Sequence, residues 1–118
     1  MLWIVHRAKG KLPKLWISTN PSHRGEAHML FMVIETYRDG DAKPVYRRFR
    51  DAGRLTPKGV HYVSSWVTTD FERCFQVMDC DSRVLLDEWM AHWSDIVEFE
   101  VIPVLTSEKA TAAIAPHL

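Results

Sequence analysis

From Met29 onward, apolar residues recur with the period of a strand in some segments and with that of a helix in others, which predicts a mixed α and β domain. Residues 29–37 (MLFMVIETY) are almost continuously apolar and rich in strand formers, which is typical of a central strand. Residues 60–68 and 73–79 predict two more strands joined by a short polar loop. Residues 97–105 (VEFEVIPVL) predict a fourth strand.

Two helices are predicted between these strands. The first follows a capping Asp41 and ends at Gly53, and apolar residues recur along it at helical spacing: Val45, Phe49 and Ala52. The second begins after a cap at Asp81 or Ser82, and its predicted buried stripe is Leu86, Trp89, Trp93 and Ile96. Residues 107–114 predict a short terminal helix behind a Ser cap.

The resulting order β-α-β-β-α-β is that of a ferredoxin-like α+β domain, whose four-stranded antiparallel sheet carries both helices on one face. Alternation along each strand then predicts what the open face carries. In the fourth strand these residues are Glu98, Glu100 and Ile102. In the third, we expect Phe75 and Val77 under the helices, which sends three residues to the open face: Cys74, Gln76 and Met78.

The first two strands leave the choice of face open. If Val63 and Val67 of the second strand are core residues, then Tyr62, Ser64 and Trp66 lie on the open face. The same assignment would also place the polar residues His61 and Ser65 in the core, because they share the parity of the valines. The first strand is apolar at both parities and is expected to be buried on both sides. A sheet face of roughly 300 Å² with this mixed apolar character is typical of an interface. A second copy of the same sheet covers it most simply, so we expect a homodimer with a ligand site enclosed between the two sheets.

The run from Met29 to Ser107, about two-thirds of the chain, resembles a small family filed only as a domain of unknown function. The segments that carry the resemblance are MLFMVIETYRDGDAKPVYRRFRDAGR, GVHYVSSWV, RCFQVMDCD and LLDEWMAHWSDIVEFEVIPV. It is similar more broadly to dimeric α/β-barrel proteins, among which are cofactor-free monooxygenases, ring-opening isomerases, haem enzymes and proteins with no known activity. The resemblance implies the fold and dimerisation, and it supplies no catalytic residues.

Charged and aromatic residues near the expected open face are the candidate ligand contacts. Glu98 and Glu100 lie about 6.6 Å apart along one strand face, where an enclosed pair of carboxylates supplies a general base. The alternative is that they lie on an edge strand in water, or pair with an arginine of a neighbour. His61 is a candidate proton shuttle or axial ligand, with a surface position as the alternative.

Three further candidates have structural alternatives. Trp66 either stacks on an aromatic ligand or anchors the dimer. Gln76 and Ser64 either bind a polar group of the ligand or form hydrogen bonds across the interface.

The charge composition of the chain limits the kinds of partner that we expect it to bind. Fifteen basic residues balance fifteen acidic ones, which argues against nucleic acid and anionic membranes as partners. RNA-recognition domains share this topology, but the expected parity places Phe75 on the wrong face for base stacking. Cys74 and Cys80 match neither a metal-binding nor a redox spacing, so we expect reduced thiols in a cytoplasmic protein without a metal or cofactor.

Residues 1–28 differ from the rest in composition and lack a sustained period. Gly25-Glu26 is encoded by purine-rich codons that can form a ribosome-binding sequence just upstream of the Met29 codon. The expectation is therefore a leader or mis-assigned start at 1–28 and a folded domain at 29–118, with a packed N-terminal arm as the alternative.

For function, we expect a homodimer that binds a small aromatic or apolar molecule between its sheets, with cofactor-free oxygenation or isomerisation as the candidate reaction. The alternative is a non-catalytic module for dimerisation or assembly.

Overall fold

The computed structural model describes residues 29–118, and the prediction of a leader at residues 1–28 lies outside this range. The four strands are β1 (Met29–Tyr37), β2 (Val60–Val67), β3 (Arg73–Cys80) and β4 (Val97–Pro103). The helices are α1 (Lys43–Ala52), α2 (Arg83–Ala91) and α3 (Ser107–Ile114), with 3-10 turns at Arg38–Gly40 and Ala115–His117.

The strands form one antiparallel sheet in the order β2-β3-β1-β4, which makes this an α+β fold. Each element predicted from the sequence is present, and the predicted strand ends differ from the observed ones by two residues or fewer. β1 and β3 are the central strands, and β2 and β4 are the edges. The described residues up to Pro103 form one compact unit, and those from Val104 onward belong to another.

The sheet has one face packed against α1 and α2, here called the helix face. Its core combines strand residues with the stripe of α2, and the buried apolar residues are Phe31, Val33, Tyr37, Val60, Cys74, Met78, Cys80, Leu86, Trp89, Trp93 and Val97. In β4, Val97 is buried and Phe99 and Val101 pack against this core, as predicted, so Glu98, Glu100 and Ile102 lie on the opposite face.

The predicted faces of β3 are wrong. Cys74, Gln76 and Met78 are buried on the helix face, and Phe75 and Val77 lie on the opposite face. The apolar residues of β3 occupy both parities, so alternation alone did not distinguish them. The polar character of Gln76 favoured the wrong parity, but Gln76 is only 3 % exposed because its amide is hydrogen-bonded inside the core.

A β-bulge resolves the ambiguity of β2. The pairing with β3 shifts between Tyr62 and Ser64, so Tyr62 pairs with Met78 on the helix face and Ser64 pairs with Val77 on the opposite face. Beyond the bulge, Ser65 and Val67 belong to the helix face and Trp66 to the opposite face. Neither single parity applies to the whole strand.

The helices pack unequally. In α2, Leu86 and Trp89 are buried, Trp93 is buried just beyond the helix end, and Ile96 packs against the same core, which confirms the predicted stripe. The stripe of α1 is only partly correct, because Val45 packs against the core whereas Phe49 is 43 % exposed. Ala52 is exposed as well.

The helix starts also differ from prediction in detail. Asp41 accepts a hydrogen bond from the backbone N–H of Lys43 at 3.0 Å, although Ala42 occupies the cap position itself. Ser82 precedes α2 without a capping hydrogen bond from its side chain. In the second unit, α3 is capped by Thr106 rather than by Ser107, and the Thr106 hydroxyl accepts from the N–H of Lys109 at 3.1 Å.

None of the helices between residues 29 and 118 is long and apolar enough to cross a bilayer. Cys74 and Cys80 are both buried free thiols.

Candidate functional site

A half-open cavity of about 130 Å³ lies between the sheet and helices α1 and α2. The strands contribute its polar groups, and the helices contribute most of its aromatic wall. The lining residues are Glu35, Tyr37, Val45, Tyr46, Phe49, Arg54, Ser65, Val67, Cys74, Gln76, Trp89 and Trp93.

Glu35 is the buried carboxylate of this cavity. It sits on the central strand β1, is 7 % exposed, and accepts a hydrogen bond on Oε2 from Nε2 of Gln76 at 2.7 Å. Burial raises the pKa of Glu35 to about 7, although the charge of Arg54 and the bond from Gln76 both act to lower it. A carboxyl group with this pKa exchanges protons near neutrality, which is the property required of a general acid or base.

Arg54 brings a positive charge to the same cavity from the loop that follows α1. Its Nη1 donates to Oε1 of Gln76, so one amide connects the guanidinium to the carboxylate. The guanidinium carbon lies 3.8 Å from the ring centre of Tyr62 and 5.1 Å from that of Phe49.

Two tryptophans fix the backbone of Arg54. Its carbonyl oxygen accepts from the indole N–H of Trp89 at 2.9 Å and from that of Trp93 at 3.1 Å. The buried stripe of α2 therefore has two roles: it fills the core, and it holds the loop that carries the cation. The Trp89 ring also packs against Phe99 with ring centres 5.9 Å apart.

Cys74 and Tyr37 are two further ionisable groups of the cavity, and both are uncharged at neutral pH. Burial and, to a smaller extent, the nearby Glu35 carboxylate raise the pKa of the Cys74 thiol to about 12. A thiol with this pKa is a poor nucleophile. Burial also raises the pKa of Tyr37, whose ring meets Tyr46 edge-on at 6.5 Å.

Of the ligand-contact candidates from the sequence, only Gln76 lies in this cavity. The other five lie on the opposite face of the sheet: His61, Ser64, Trp66, Glu98 and Glu100. Glu98 is exposed on the edge strand β4, which is one of the alternatives considered for it, and it forms an ion pair with Arg38 of the same chain at 3.0 Å. Trp66 is 58 % exposed.

Sequence reasoning missed Glu35 and Arg54. A carboxylate inside the apolar run MLFMVIETY was a usable signal, because an acidic residue is seldom buried without a partner. Arg54 gave no such signal, because its position depends on hydrogen bonds to tryptophans 35 and 39 residues further along the chain.

The arrangement is suited to acid–base chemistry on a small ligand. Within residues 29–118, no group of three or more His, Cys, Asp or Glu side chains is placed to hold a metal ion. A carboxyl group, an amide and a guanidinium converge beside an aromatic wall, which is the usual composition of an organic-ligand pocket.

Comparison with known proteins identifies a family for this domain but assigns no activity to it. Residues 29–118 match a protein family described as Domain of unknown function (DUF3303). No curated protein and no solved structure matches the chain significantly.

Proposed function

The chain belongs to the DUF3303 family, and we propose that its domain binds a small ring-containing organic molecule in the cavity beside Glu35 and transfers a proton to or from it. The observation that carries this proposal is the buried Glu35 carboxyl group facing an aromatic-lined cavity with a pKa near neutrality.

The size of the cavity fits a single ring. Its volume of about 130 Å³ is close to that of an engineered apolar cavity of about 150 Å³ that binds benzene. It is below the range of about 300–1,000 Å³ typical of drug-sized ligands. The aromatic side chains of Tyr37, Tyr46, Trp89 and Trp93 provide edges and faces for ring packing.

Isomerisation is the reaction that these groups support best. Glu35 as a carboxylate takes a proton from an acidic C–H bond of the ligand, and the electron pair of that bond remains on the ligand. The resulting carboxylic acid returns the proton to another carbon, so the step needs no oxidant and no cofactor. Gln76 and Arg54 are the polar groups beside the negative charge that develops on the ligand.

This proposal moves the ligand from the position expected from the sequence. The expected site lay between two sheets of a dimer, whereas the proposed site lies inside one subunit. Dimerisation and ligand binding are then separate properties of the two faces of the sheet.

We further propose that the domain is ferredoxin-like and assembles as a dimeric α/β barrel through the face opposite the helices. Pairing places on this face a set of apolar side chains: Met32, Ile34, Trp66, Phe75, Val77 and Ile102. An apolar face of this kind supports a second candidate function, a dimerisation or assembly module.

The parity argument against RNA no longer holds for Phe75, but Glu98 and Glu100 on this face disfavour a polyanion. The cytoplasmic location stays a prediction.

Ligand binding can be tested by NMR on the indole N–H groups, with a control in the same molecule. Benzyl alcohol and benzoate are titrated into the full chain. The signals of Trp89 and Trp93 are expected to shift, whereas that of Trp66 on the opposite face is expected to stay in place. If no ring compound moves the Trp89 and Trp93 signals at millimolar concentration, the cavity is not a binding site. Native mass spectrometry of protein from its own host then identifies a retained ligand.

A further inference from the structure

Arg54 differs from the arginines that form ion pairs in this domain. Four arginines within residues 29–118 bind a carboxylate at 3.0 Å or less: Arg38, Arg48, Arg50 and Arg83. Arg54 has no carboxylate within ion-pair distance among the described residues, and its side chain donates there to the neutral amide of Gln76. Its charge is therefore not neutralised by direct contact with an anion of the described chain.

The surroundings of Arg54 leave its hydrogen-bonding edge available. The rings of Tyr62 and Phe49 pack on the guanidinium. The five N–H groups of a guanidinium point outward in its plane. Among the described residues only Nη1 of Arg54 has a hydrogen-bond partner, Gln76, so the remaining N–H groups are free for an acceptor. Two parallel N–H groups in this plane match the two oxygens of a carboxylate.

The backbone around Arg54 is held in a defined conformation. The two indole N–H bonds from Trp89 and Trp93 fix its carbonyl, and the next residue, Leu55, has a φ of +64°, a region that residues other than glycine seldom adopt. Non-glycine residues in such conformations cluster at ligand-binding sites, where the surrounding contacts over-determine them. The cation is thus pre-positioned at the cavity.

We propose that the cavity selects ring compounds that carry one anionic group, a carboxylate above all, and that Arg54 is the specificity-determining residue that binds this group. The proposal rests on the proposed function and names its substrate class. The aromatic wall takes the ring, and the guanidinium edge takes the carboxylate.

Binding of an anion is then linked to proton uptake by Glu35. A carboxylate on Arg54 adds a negative charge near Glu35 and competes for the cation that stabilises its ionised form. The other titratable groups around Glu35 are Cys74 on β3, Tyr37 on β1 and Tyr46 on α1. Burial raises the pKa values of Cys74 and Tyr37, so neither titrates between pH 6 and 8. His61 lies on the opposite face of the sheet.

The unmodified protein provides the first test. Dissociation constants of benzoate and benzyl alcohol, which share a ring and differ in charge, are measured by the same NMR titration at pH 6. Benzoate is expected to bind at least about tenfold tighter, the effect of one charge-assisted contact. If both bind equally, or the alcohol binds tighter, selectivity for anions is wrong while the binding site stands. If neither binds, the proposed function itself fails.

The pH dependence gives a second readout in the same protein. The dissociation constant of benzoate is expected to rise from pH 6 to pH 8, by at most about tenfold, because the protonated fraction of Glu35 falls by that factor around a pKa of about 7. Protein with ionised Glu35, the form that abstracts a proton in the proposed reaction, still binds the anion, but more weakly. Glu35→Gln is expected to remove this dependence. A benzoate affinity that stays constant from pH 6 to 8 in the parent would contradict the linkage.

Substitution of the cation gives the residue-level test. Arg54→Met keeps the apolar stem and removes the charge, and it is expected to lower the affinity for benzoate at least about tenfold while that for benzyl alcohol changes less. Arg47→Met, on the exposed surface of α1, is the matched control and is expected to change neither. A folded Arg54→Met protein that binds benzoate as tightly as the parent overturns the assignment. If this variant does not fold, the comparison of benzoate with benzyl alcohol in the parent decides the proposal.

Discussion

Gln76 joins Glu35 to Arg54 through the two ends of one amide. Its Nε2 donates to Glu35 at 2.7 Å and its Oε1 accepts from Arg54, across the two central strands of the sheet. Because the amide stands between them, the carboxylate and the guanidinium do not form a direct ion pair. Burial therefore outweighs the charge of Arg54, and the pKa of Glu35 is raised rather than lowered.

This raised pKa predicts how stability changes with pH. Folding raises the pKa of Glu35 from 4.5 to about 7, so the folded protein binds a proton more tightly than the unfolded chain. The stabilising effect is complete below pH 4.5 and is lost as the pH rises toward and through 7. The difference corresponds to about 3 kcal/mol. We expect Glu35→Gln to reduce the loss of unfolding free energy between pH 5 and 8, as measured by urea denaturation.

Glu98→Gln is the control for this experiment, because Glu98 is exposed on the opposite face and pairs only at the surface with Arg38. It is expected to leave the pH dependence of stability within about 0.5 kcal/mol of the parent. An equal slope for the parent and Glu35→Gln would show that the carboxyl group is not buried in solution.

The sequence predicted the elements well and the faces of the strands less well, for a physical reason. The stripe of α2 was correct because Leu86, Trp89 and Trp93 contrast with polar neighbours. β3 has apolar residues at both parities, so one polar residue, Gln76, decided the assignment wrongly. The bulge after Tyr62 in β2 changes which parity faces the helices and leaves no clear mark in the sequence.

The candidate site was predictable only in part. Gln76 was recognised as a polar residue in need of a partner, although on the wrong face. The connection from Gln76 to Arg54 passes between a strand and a loop, and neither spacing nor composition encodes such a contact. The cavity itself results from the poor coverage of the sheet by α1, where Phe49 stays 43 % exposed.

Trp89→Ala is expected to be severely destabilising. The side chain is 2 % exposed, packs against Phe99 and donates its indole N–H to the carbonyl of Arg54. Truncating a buried tryptophan costs about 3–5 kcal/mol. Trp89→Phe is the matched variant, because it keeps a ring and removes the N–H, and the Arg54 carbonyl retains the bond from Trp93. It is expected to cost about 1–2 kcal/mol. Chemical denaturation measures the loss of unfolding free energy in each variant. Similar losses in Trp89→Ala and Trp89→Phe would show that packing is not the main contribution of Trp89 to stability.

Gly59→Ala is expected to destabilise the protein at the turn that precedes β2. Gly59 has a φ of +95°, and an added Cβ would lie 2.6 Å from Cδ1 of Leu85. Gly40 is the control, since it has a φ of +63° and nothing closer than 3.9 Å to an added Cβ. Backbone strain alone costs about 1–2 kcal/mol, and overpacking adds about 1–3 kcal/mol at Gly59. In thermal denaturation, the melting temperature of Gly59→Ala is expected to be clearly lower than that of Gly40→Ala. Equal melting temperatures would mean that Leu85 moves aside without cost.

Val77→Glu tests the proposed dimer face. Val77 lies on the central strand β3, on the face opposite the helices, and pairs with Met32 and Ser64. A dimer through this face would bury one new carboxylate from each subunit among apolar side chains, on a face that already carries Glu98 and Glu100. An unpaired buried charge costs several kcal/mol, which corresponds to several decades of dimer affinity. The helix-face core is not altered, so we expect a folded monomer in sedimentation experiments at micromolar concentration, whereas the parent is expected to sediment as a dimer.

The matched control for this prediction is Val84→Glu, which introduces the same change on α2 at a side chain that is 65 % exposed. This variant is expected to remain a dimer with unchanged stability, because its new charge stays in water. If Val77→Glu also remains a dimer at micromolar concentration, the two sheets do not meet at this face. The cavity beside Glu35 would be unaffected by that result, since it lies within a single subunit. Benzoate binding by a monomeric Val77→Glu protein would show that the two faces of the sheet act independently.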